Sequence, residues 1–573
     1  MADLRSLLEM RQAVPLSFSP DGALLLVQSN IPGTHQLYAV AARGGELEQL
    51  TSLDDPVSGF FLPDGRVLVE VDAGGNERTQ LYVLGGDGGL DPLVVDPRFI
   101  HRTPRVGGGV LAYSTNRRNG VDFDIVARDL RSGEERSFEI GGNCSVEAVS
   151  LDGMRVAVER IGEQSGDGDI FICSVDSGEI EHVTPHDDAA EYFSVDWLGD
   201  TLVLATNEGR DTFGIRVGGE LVAESEWDLD CLVDQAGRNL LVVANEDGYA
   251  RLVLHDPNTY AARAEVPLPG RGVVEHPVFS PDGSLLAFSF SSPVEPHDVY
   301  LYDLEAETLT RLTMSPRDVE VGTLVEPTLH RYRSFDGESV PVFLFEPAGE
   351  GPFPVVVTVH GGPESQWLPW FAPSFAPLTQ YLVGRGYAVA APNVRGSTGY
   401  GKRYEHLDDI EKRLDSVADL AALHDWLSAR PSIDGDRAVV YGRSYGGYMV
   451  LAALALQPER WAAGIECVGI ASLVTFLENT SPYRRAARER EYGSLDRDRT
   501  FLLEASPMTH IDAIGAPLFI QHGRNDPRVP VSESEHIHAV LVQKGIPSEL
   551  LIFEDEGHTV EKLPNRIETF TRM

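Results

Sequence analysis

The chain has 573 residues, of which 42% are hydrophobic and 24% are charged, so it has the composition of a globular protein and the length of two or three domains. Its 88 acidic and 47 basic residues give a formal net charge of −41. Such an excess of negative charge repels nucleic acids and anionic membranes, so we expect neither as a partner.

The cysteines and the N-terminal segment bear on disulfide bonds, metal sites and cellular location. Cys144, Cys173, Cys231 and Cys467 lie far apart and form no CxxC pair, so the sequence predicts neither a disulfide framework nor a zinc site. The first ten residues read as a short amphipathic helix that lacks the features of a signal peptide. No stretch of about 18 apolar residues would cross a membrane. We therefore predict a cytoplasmic location.

Residues 14–320 repeat one phrase: a short apolar strand, a tight turn and an alternating strand. The turn ends in Asp-Gly at Gly22, Gly65, Gly153 and Gly283, where glycine accepts the positive φ that the turn demands. The units start near residues 14, 58, 105, 147, 192, 230 and 274. A period of about 40 residues with four short strands is typical of a propeller blade. The sequence predicts an all-β, seven-bladed β-propeller in preference to a β-sandwich.

From about residue 320 the pattern changes to strands that alternate with helices. Continuous apolar runs, typical of parallel strands covered on both faces, occur at residues 354–359, 387–391, 438–441, 518–521 and 550–553. Helical stretches at 416–429 and 445–457 lie between them. This alternation predicts a mainly parallel sheet with helices on both faces, and we assign residues 321–573 to this second domain.

Ser444 stands in the sequence Gly442-Arg443-Ser444-Tyr445-Gly446, directly after a predicted strand and directly before a predicted helix. An α/β-hydrolase holds its nucleophile on such a strained strand-to-helix turn, and the glycines leave room for the backbone to fold sharply. The G-x-S-x-G motif alone is common, but this position makes it specific. We predict that Ser444 is a nucleophile in an α/β-hydrolase domain.

A serine nucleophile needs a histidine base and a carboxylate that orients the histidine. Asp526 and His558 follow Ser444 in the chain order of α/β-hydrolases, and each lies in a loop after a predicted strand. The sequence therefore predicts the catalytic triad Ser444, Asp526 and His558. The candidates that are weaker by position are His510, His522, His536, His538 and Asp555.

An oxyanion hole should accompany this triad. One donor is expected to be the backbone N–H of Tyr445, which follows the nucleophile. A second donor is expected from the loop His360-Gly361-Gly362-Pro363, which follows the strand that ends at Val359. Glycines in this loop would let a backbone N–H approach a substrate.

Taken together, these motifs resemble the prolyl oligopeptidase family of serine peptidases, most closely the acylaminoacyl-peptidases and related oligopeptidases. The stretches that carry the resemblance are HGGP at 360–363, NVRGSTGYG at 393–401, GRSYGGY at 442–448, HGRNDPRVP at 522–530 and DEGH at 555–558. The resemblance implies a propeller that covers the active site and admits short peptides. It also implies an oxyanion hole formed by the amides of Gly362 and Tyr445, and an N-terminal helix within residues 1–13 that packs on the hydrolase domain.

The resemblance implies further substrate contacts. Arg528 is expected near the bound substrate, with a structural ion pair as the alternative. Phe476 and Tyr483 belong to a segment expected to lie over the site, and are predicted to line the pocket on the acyl side. The neighbouring Arg484-Arg485 pair would suit a carboxylate, but we interpret it as a solvated helix face.

The predicted function is hydrolysis of short peptides through an acyl-enzyme on Ser444, with release of N-acylated amino acids favoured and no metal or cofactor required. A carboxylesterase of broad specificity, a dipeptidyl peptidase and a prolyl-oligopeptidase type of specificity remain open, and so does a homo-oligomeric state. A non-catalytic propeller scaffold is a remote alternative, against which the intact triad argues.

Overall fold

The computed structural model describes residues 2–86 and 88–573. Its N-terminal part consists of seven four-stranded antiparallel sheets, each built from one contiguous stretch of chain. Blades 1 to 4 comprise β1 to β4 (Ala13–Phe18, Leu24–Ser29, Gln36–Ala41, Glu48–Gln49), β5 to β8 (Val57–Phe61, Val67–Val71, Gln80–Leu84, Leu90–Val94), β9 to β12 (His101–Gly107, Val110–Thr115, Asp124–Asp129, Glu135–Phe138) and β13 to β16 (Cys144–Val149, Arg155–Ile161, Gly168–Ser174, Ile180–His182).

Blades 5 to 7 continue in the same manner. They comprise β17 to β20 (Tyr192–Leu198, Thr201–Thr206, Gly214–Val217, Glu220–Ala223), β21 to β24 (Leu229–Val233, Leu240–Glu246, Tyr249–His255, Ala262–Glu265) and β25 to β28 (Val273–Phe279, Leu285–Ser292, Glu295–Asp303, Thr308–Arg311). The predicted seven-bladed propeller is thereby confirmed, and each predicted unit start lies within four residues of a first strand.

The repeated Asp-Gly turn has a local cause. In blade 7 the Asp282 carboxylate accepts a hydrogen bond from the Ser280 hydroxyl at 2.7 Å and another from the backbone N–H of Ser284 at 3.0 Å. Gly283 then adopts a φ of +70°, which a side chain would oppose. Blade 4 repeats the arrangement, with 2.6 Å between Ser150 and Asp152. The turn residues therefore direct each first strand into the second.

Side-chain packing closes the propeller ring. Blades 1 and 7 share one apolar core, in which Phe18 and Leu25 of the first blade pack with Leu285 and Val299 of the last. Hydrophobic burial therefore stabilises the junction between the two ends of the propeller.

The C-terminal part is built on one eight-stranded sheet. Its strands are β29 (Thr328–Arg333), β30 (Ser339–Phe345), β31 (Phe353–Val359), β32 (Ala388–Pro392), β33 (Ile433–Arg443), β34 (Ala463–Cys467), β35 (Leu518–Gly523) and β36 (Ser548–Phe553). They lie in the order β29-β30-β32-β31-β33-β34-β35-β36, and the six strands from β32 to β36 in this order are parallel. The carboxyl ends of parallel strands meet at one edge, where ligands of such sheets bind.

Helices cover this sheet. The helices are α1 (Leu4–Leu8), α2 (Ala376–Gly384), α3 (Lys402–Glu405), α4 (Arg413–Ser428), α5 (Tyr445–Leu456), α6 (Leu473–Asn479), α7 (Pro482–Tyr492), α8 (Arg499–Glu504), α9 (Ser532–Gln543) and α10 (Leu563–Arg572), with 3₁₀ turns at Val321–Thr323, Ile410–Lys412 and Pro507–Ala513. Helix α5 is buried from Tyr445 to Ala455, which explains its nearly continuous apolar sequence. The predicted α/β-hydrolase architecture is confirmed.

The N-terminal helix α1 joins the hydrolase part. Asp3 caps it by accepting a hydrogen bond from the backbone N–H of Ser6 at 2.9 Å. Leu8 is fully buried in a cluster with Leu378 of α2 and Phe570 of α10. The four cysteines are buried free thiols, and within the described residues no helix is long and apolar enough to span a membrane.

Candidate active site

Ser444 occupies the sharp turn between β33 and α5, with φ of 60° and ψ of −120°. A Cβ on Gly442 would overlap the backbone of Gly446, and a Cβ on Gly446 would overlap the carbonyl oxygen of Val359 at the end of β31. Only glycine fits either position, which is the physical reason for the G-x-S-x-G spacing. The strained turn holds the serine hydroxyl at the carboxyl edge of the sheet.

Three side chains from three loops form one hydrogen-bonded chain at this edge. The Nε2 atom of His558 lies 2.9 Å from the Ser444 hydroxyl, and its Nδ1 atom lies 2.7 Å from the Asp526 carboxylate. The second oxygen of Asp526 accepts hydrogen bonds from the backbone N–H groups of Arg528 at 2.8 Å and Val529 at 3.1 Å. The carboxylate is thus fixed on one side and free to orient the imidazole on the other.

Burial sets the protonation states of this chain. It lowers the pKa of His558 to about 4, against the opposing effect of the Asp526 carboxylate. Burial alone would raise the pKa of Asp526, but the adjacent imidazoles of His558 and His522 lower it well below its usual value. At neutral pH the histidine is therefore neutral and the aspartate ionised, as a general base and its orienting partner need to be.

Two backbone donors lie beside the serine. The N–H of Tyr445 is the first of helix α5, and neither it nor the N–H of Gly362 has a protein acceptor within the described ranges. A Cβ on Gly361 would lie 3.3 Å from the Cβ of Ser444, so the glycine loop covers the nucleophile closely. The N-terminus of α5 adds partial positive charge at the same point.

The rival residues His522 and Asp555 make other contacts, although His522 Nε2 also lies 3.4 Å from the Asp526 carboxylate. His522 contacts the Ser534 hydroxyl at 2.7 Å and the carbonyl of Val529 at 3.0 Å, so both of its ring nitrogens are occupied. Asp555 forms an ion pair with Lys562 at 3.0 Å on the surface. Neither of these side chains contacts Ser444.

A cavity of about 430 Å³ opens at Ser444, and we name it the catalytic cavity. The residues that line it are Gly361, Gly362, Glu364, Ser365, Phe375, Arg443, Ser444, Ile470, Phe476, Arg484, Arg488, Tyr492, Arg528, Val529, His558 and Thr559. Phe476 and Arg528 stand in its wall, as the resemblance implies. Tyr483 does not, because its ring packs edge-on against Phe123 of the propeller, with ring centroids 5.7 Å apart.

Several residues that line the cavity were not predicted from the sequence to do so. Arg484 and Arg488 face the cavity from α7, although the sequence favours a solvated position for the Arg484-Arg485 pair. The spacing of four residues between Arg484 and Arg488 was the available signal, since residues i and i+4 share a helix face. No local signal marks Glu364, which follows the glycine loop.

A propeller loop reaches the same site. Residues 72–77 belong to the connection between β6 and β7 of blade 2, and Glu77 forms an ion pair with Arg528. The side-chain amide of Asn525, next to the acid of the triad, donates to the carbonyl oxygen of Gly74 at 3.0 Å. Arg528 therefore forms the structural ion pair considered for it and also lines the cavity, while its contact with substrate stays a prediction.

A propeller that contacts an α/β-hydrolase edge bearing a serine, a histidine and an aspartate defines a class of serine hydrolases. Comparison with known proteins specifies the class further, because residues 373–573 match the model of the Prolyl oligopeptidase family. The comparison thus assigns residues 373–573, which include all three of these side chains, to the prolyl oligopeptidase family of serine peptidases.

Individual relatives agree with this assignment. Dipeptidyl aminopeptidase BIII of Pseudoxanthomonas mexicana is 26% identical over 95% of this chain and 83% of its own length. Acylamino-acid-releasing enzyme 1 of Oryza sativa is 26% identical over 38% of this chain, and the match spans only 29% of that relative. A puromycin-hydrolysing peptidase of Mycobacterium tuberculosis shares the fold, with a TM-score of 0.84, 21% identity and coverage of 99% of this chain and 94% of its own.

Proposed function

We propose that the chain hydrolyses short peptides with Ser444 as nucleophile, His558 as general base and acid, and Asp526 as the residue that orients His558. The observation that carries this proposal is the hydrogen-bonded chain from Asp526 through His558 to Ser444, with distances of 2.7 and 2.9 Å. A serine hydroxyl becomes an effective nucleophile when a neutral histidine accepts its proton.

The proposed reaction proceeds through an acyl-enzyme. His558 takes the hydroxyl proton while the Ser444 oxygen attacks the peptide carbonyl, and the negative charge that develops on the carbonyl oxygen faces the N–H groups of Gly362 and Tyr445. The protonated His558 then gives its proton to the leaving amine. Water, activated by the same histidine, releases the acyl group and restores the serine.

The propeller supports a preference for short substrates. The loop at residues 72–77 contacts the loops that carry Asp526 and His558, so the propeller lies against the edge of the sheet where the catalytic cavity opens. A cavity of about 430 Å³ accommodates a few residues, whereas a folded protein would have to displace the propeller.

For the unit released, we propose a dipeptide with a free amino terminus. Glu364 stands in the wall of the catalytic cavity and also in the wall of a second cavity, of about 470 Å³, which Glu405 lines as well. Burial and the neighbouring Glu491 raise the pKa of Glu364 to about 7, so a substrate ammonium group would favour its ionised form. The name of one relative that matches along most of the chain, a dipeptidyl aminopeptidase, agrees with this choice.

The release of N-acylated amino acids is the second candidate. Arg484, Arg488 and Arg528 line the catalytic cavity and oppose a free ammonium group near Ser444. An acylated amino terminus is neutral and would not meet this repulsion. The resemblance of the catalytic motifs to acylaminoacyl-peptidases supports the same specificity.

Initial rates on three matched substrates test these proposals. The substrates are alanyl-alanine anilide, acetyl-alanine anilide and a nitrophenyl ester, each assayed with the wild type and with Ser444→Ala. We expect anilide cleavage that disappears in Ser444→Ala, with the free dipeptide anilide preferred and the preference lost in Glu364→Gln. A preference for the acetylated anilide would select the second candidate. Ester cleavage without anilide cleavage would contradict the peptidase assignment for these substrates, and activity in Ser444→Ala would exclude Ser444 as nucleophile.

A further inference from the structure

The catalytic cavity carries a charge opposite to that of the whole chain. Four arginines and one glutamate line it, which gives a formal charge of +3 with neutral His558, whereas the chain has −41. An acidic protein that concentrates arginines at its nucleophile creates a local positive potential, and low-dielectric walls strengthen such a potential.

Three of these arginines lie close together. The pKa of Arg484 is lowered by burial first and then by the positive charges of Arg528 and Arg488. Arg484 and Arg488 occupy consecutive turns of α7, one helical repeat apart, so both point to the same side of the helix. Three like charges at one wall repel each other unless an anion joins them.

The protein neutralises this group only in part. Glu77 of the propeller pairs with Arg528 and lies 3.7 Å from Arg484. Arg488 has no carboxylate within 4.0 Å of its guanidinium nitrogens among the described residues, and its Nε atom is buried without an acceptor. The Nε atom of Arg484 is likewise buried and unsatisfied. Buried donors without acceptors are costly, so a ligand that accepts hydrogen bonds from them would bind favourably.

The adjacent Arg485 differs from Arg484 and Arg488 in its exposure and in its partner. It is 44% exposed and forms an ion pair with Glu489 at 2.9 Å, one turn further along α7. Arg485 does not line the catalytic cavity. The same helix thus carries a satisfied surface arginine and two incompletely satisfied cavity arginines.

We propose that Arg484 and Arg488 form a carboxylate-binding subsite, so that the enzyme prefers peptides that carry a carboxylate into the catalytic cavity. The guanidinium group presents N–H donors in a planar arrangement that matches the two oxygens of a carboxylate. Among the described residues, no carboxylate pairs with the guanidinium group of Arg488, so it is available to one on the substrate. The carboxylate has two sources in a short peptide: an acidic side chain, or the free carboxyl terminus. This proposal rests on the proposed peptidase function and names the chemistry of its preferred substrates.

Two matched pairs of substrates distinguish the sources. The first pair is glutamyl-alanine and glutaminyl-alanine coumarin amides, which differ in side-chain charge. The second pair is trialanine with a free carboxyl terminus and with an amidated one. For at least one pair we expect kcat/KM to favour the carboxylate by about 10-fold or more, because hydrogen bonds to charged groups are the stronger ones. Added salt should lower this kcat/KM ratio, because dissolved ions screen the attraction between the arginines and the carboxylate.

Variants on α7 test the assignment of residues. Arg488→Gln should bring the preferred pair to a ratio near one, Arg484→Gln should reduce the ratio, and Arg488→Lys should retain part of it. The matched control Arg485→Gln should leave the ratio unchanged. A wild-type ratio near one in both pairs, or an Arg488→Gln ratio equal to that of the wild type, would overturn the proposal.

A binding measurement separates this proposal from the peptidase function. If no substrate shows turnover that depends on Ser444, the proposed function fails for these substrates, and calorimetry with Ser444→Ala then decides the subsite. The probes are the dipeptides glutamyl-alanine and glutaminyl-alanine, with amidated carboxyl termini, and trialanine with either terminus. Tighter binding of a carboxylate-bearing member, lost in Arg488→Gln, supports the subsite. Equal binding of both members in both pairs overturns it.

Discussion

Gly75 of the propeller and Gly557 of the hydrolase part are in backbone contact. A Cβ on Gly75 would lie 2.5 Å from the backbone nitrogen of Gly557, and a Cβ on Gly557 would overlap the carbonyl oxygen of Gly75. Gly557 immediately precedes His558, so the propeller loop touches the peptide that carries the proposed base. Because these two glycines are far apart in the sequence, no local sequence pattern indicates this contact.

This contact predicts that Gly75→Ala reduces kcat. The added methyl group would displace the His558 loop, and a displacement of about 1 Å costs about 100-fold in rate. The control is Gly65→Ala in the same blade, where φ is +86° but no atom lies within 4 Å of the new Cβ. Steady-state kinetics and thermal melting of both variants distinguish displacement from backbone strain. Equal losses in the two variants would contradict the prediction.

The orientation of His558 predicts a large effect of Asp526→Asn. The amide would no longer hold the imidazole in the tautomer that accepts the Ser444 proton, and the expected loss of kcat is about 10,000-fold. Asp555→Asn is the matched control, because Asp555 pairs with Lys562 on the surface and should leave activity near that of the wild type. A strong loss in Asp555→Asn with little loss in Asp526→Asn would reverse the assignment of the acid.

Burial of His558 predicts that the acid limb of the pH dependence of kcat/KM lies at unusually low pH. The base works only when neutral, so kcat/KM for acetyl-alanine anilide, which has no ammonium group for Glu364 to bind, should stay high as the pH falls below 6. It should decline as the pH passes the His558 pKa of about 4. Arg528 is one of the charges that lower this pKa, so Arg528→Gln should move the limb to higher pH. Arg524→Gln, in the same loop but paired with Glu535, should not. Activity regained on return to pH 7 would exclude unfolding as the cause, and a wild-type limb near 6.5 would contradict the prediction.

A buried ion network predicts a large loss of stability in Arg413→Met. Arg413 is fully buried and pairs with both Asp408 and Glu491, so its removal leaves two buried carboxylates without a cation. Removing one partner of a buried pair costs about 3–5 kcal/mol. Arg437→Met, which breaks an exposed pair with Asp434, should cost less than about 1 kcal/mol. Denaturant unfolding of the two variants checks the difference, and equal losses would contradict it.

The amino-acid sequence determined the architecture and the three residues of the proposed triad. Asp-Gly turns repeat with the blades because each turn depends on its own residues, such as Asp282 and Gly283. The apolar runs match the buried strands because parallel strands covered on both faces need them. Chain order and strand ends were sufficient to select Ser444, Asp526 and His558, and in the structure His558 is hydrogen-bonded to both of the others.

Only the tertiary structure decided which side chains face the catalytic cavity. The sequence could not distinguish Arg485 from Arg488, because the facing side of α7 depends on how this helix packs beneath the propeller. Tyr483 turns to Phe123 for the same reason. The contact of Glu77 with Arg528 joins residues 451 positions apart. Local propensity and spacing carry no information about such a contact, because it arises only when two separately folded parts come together.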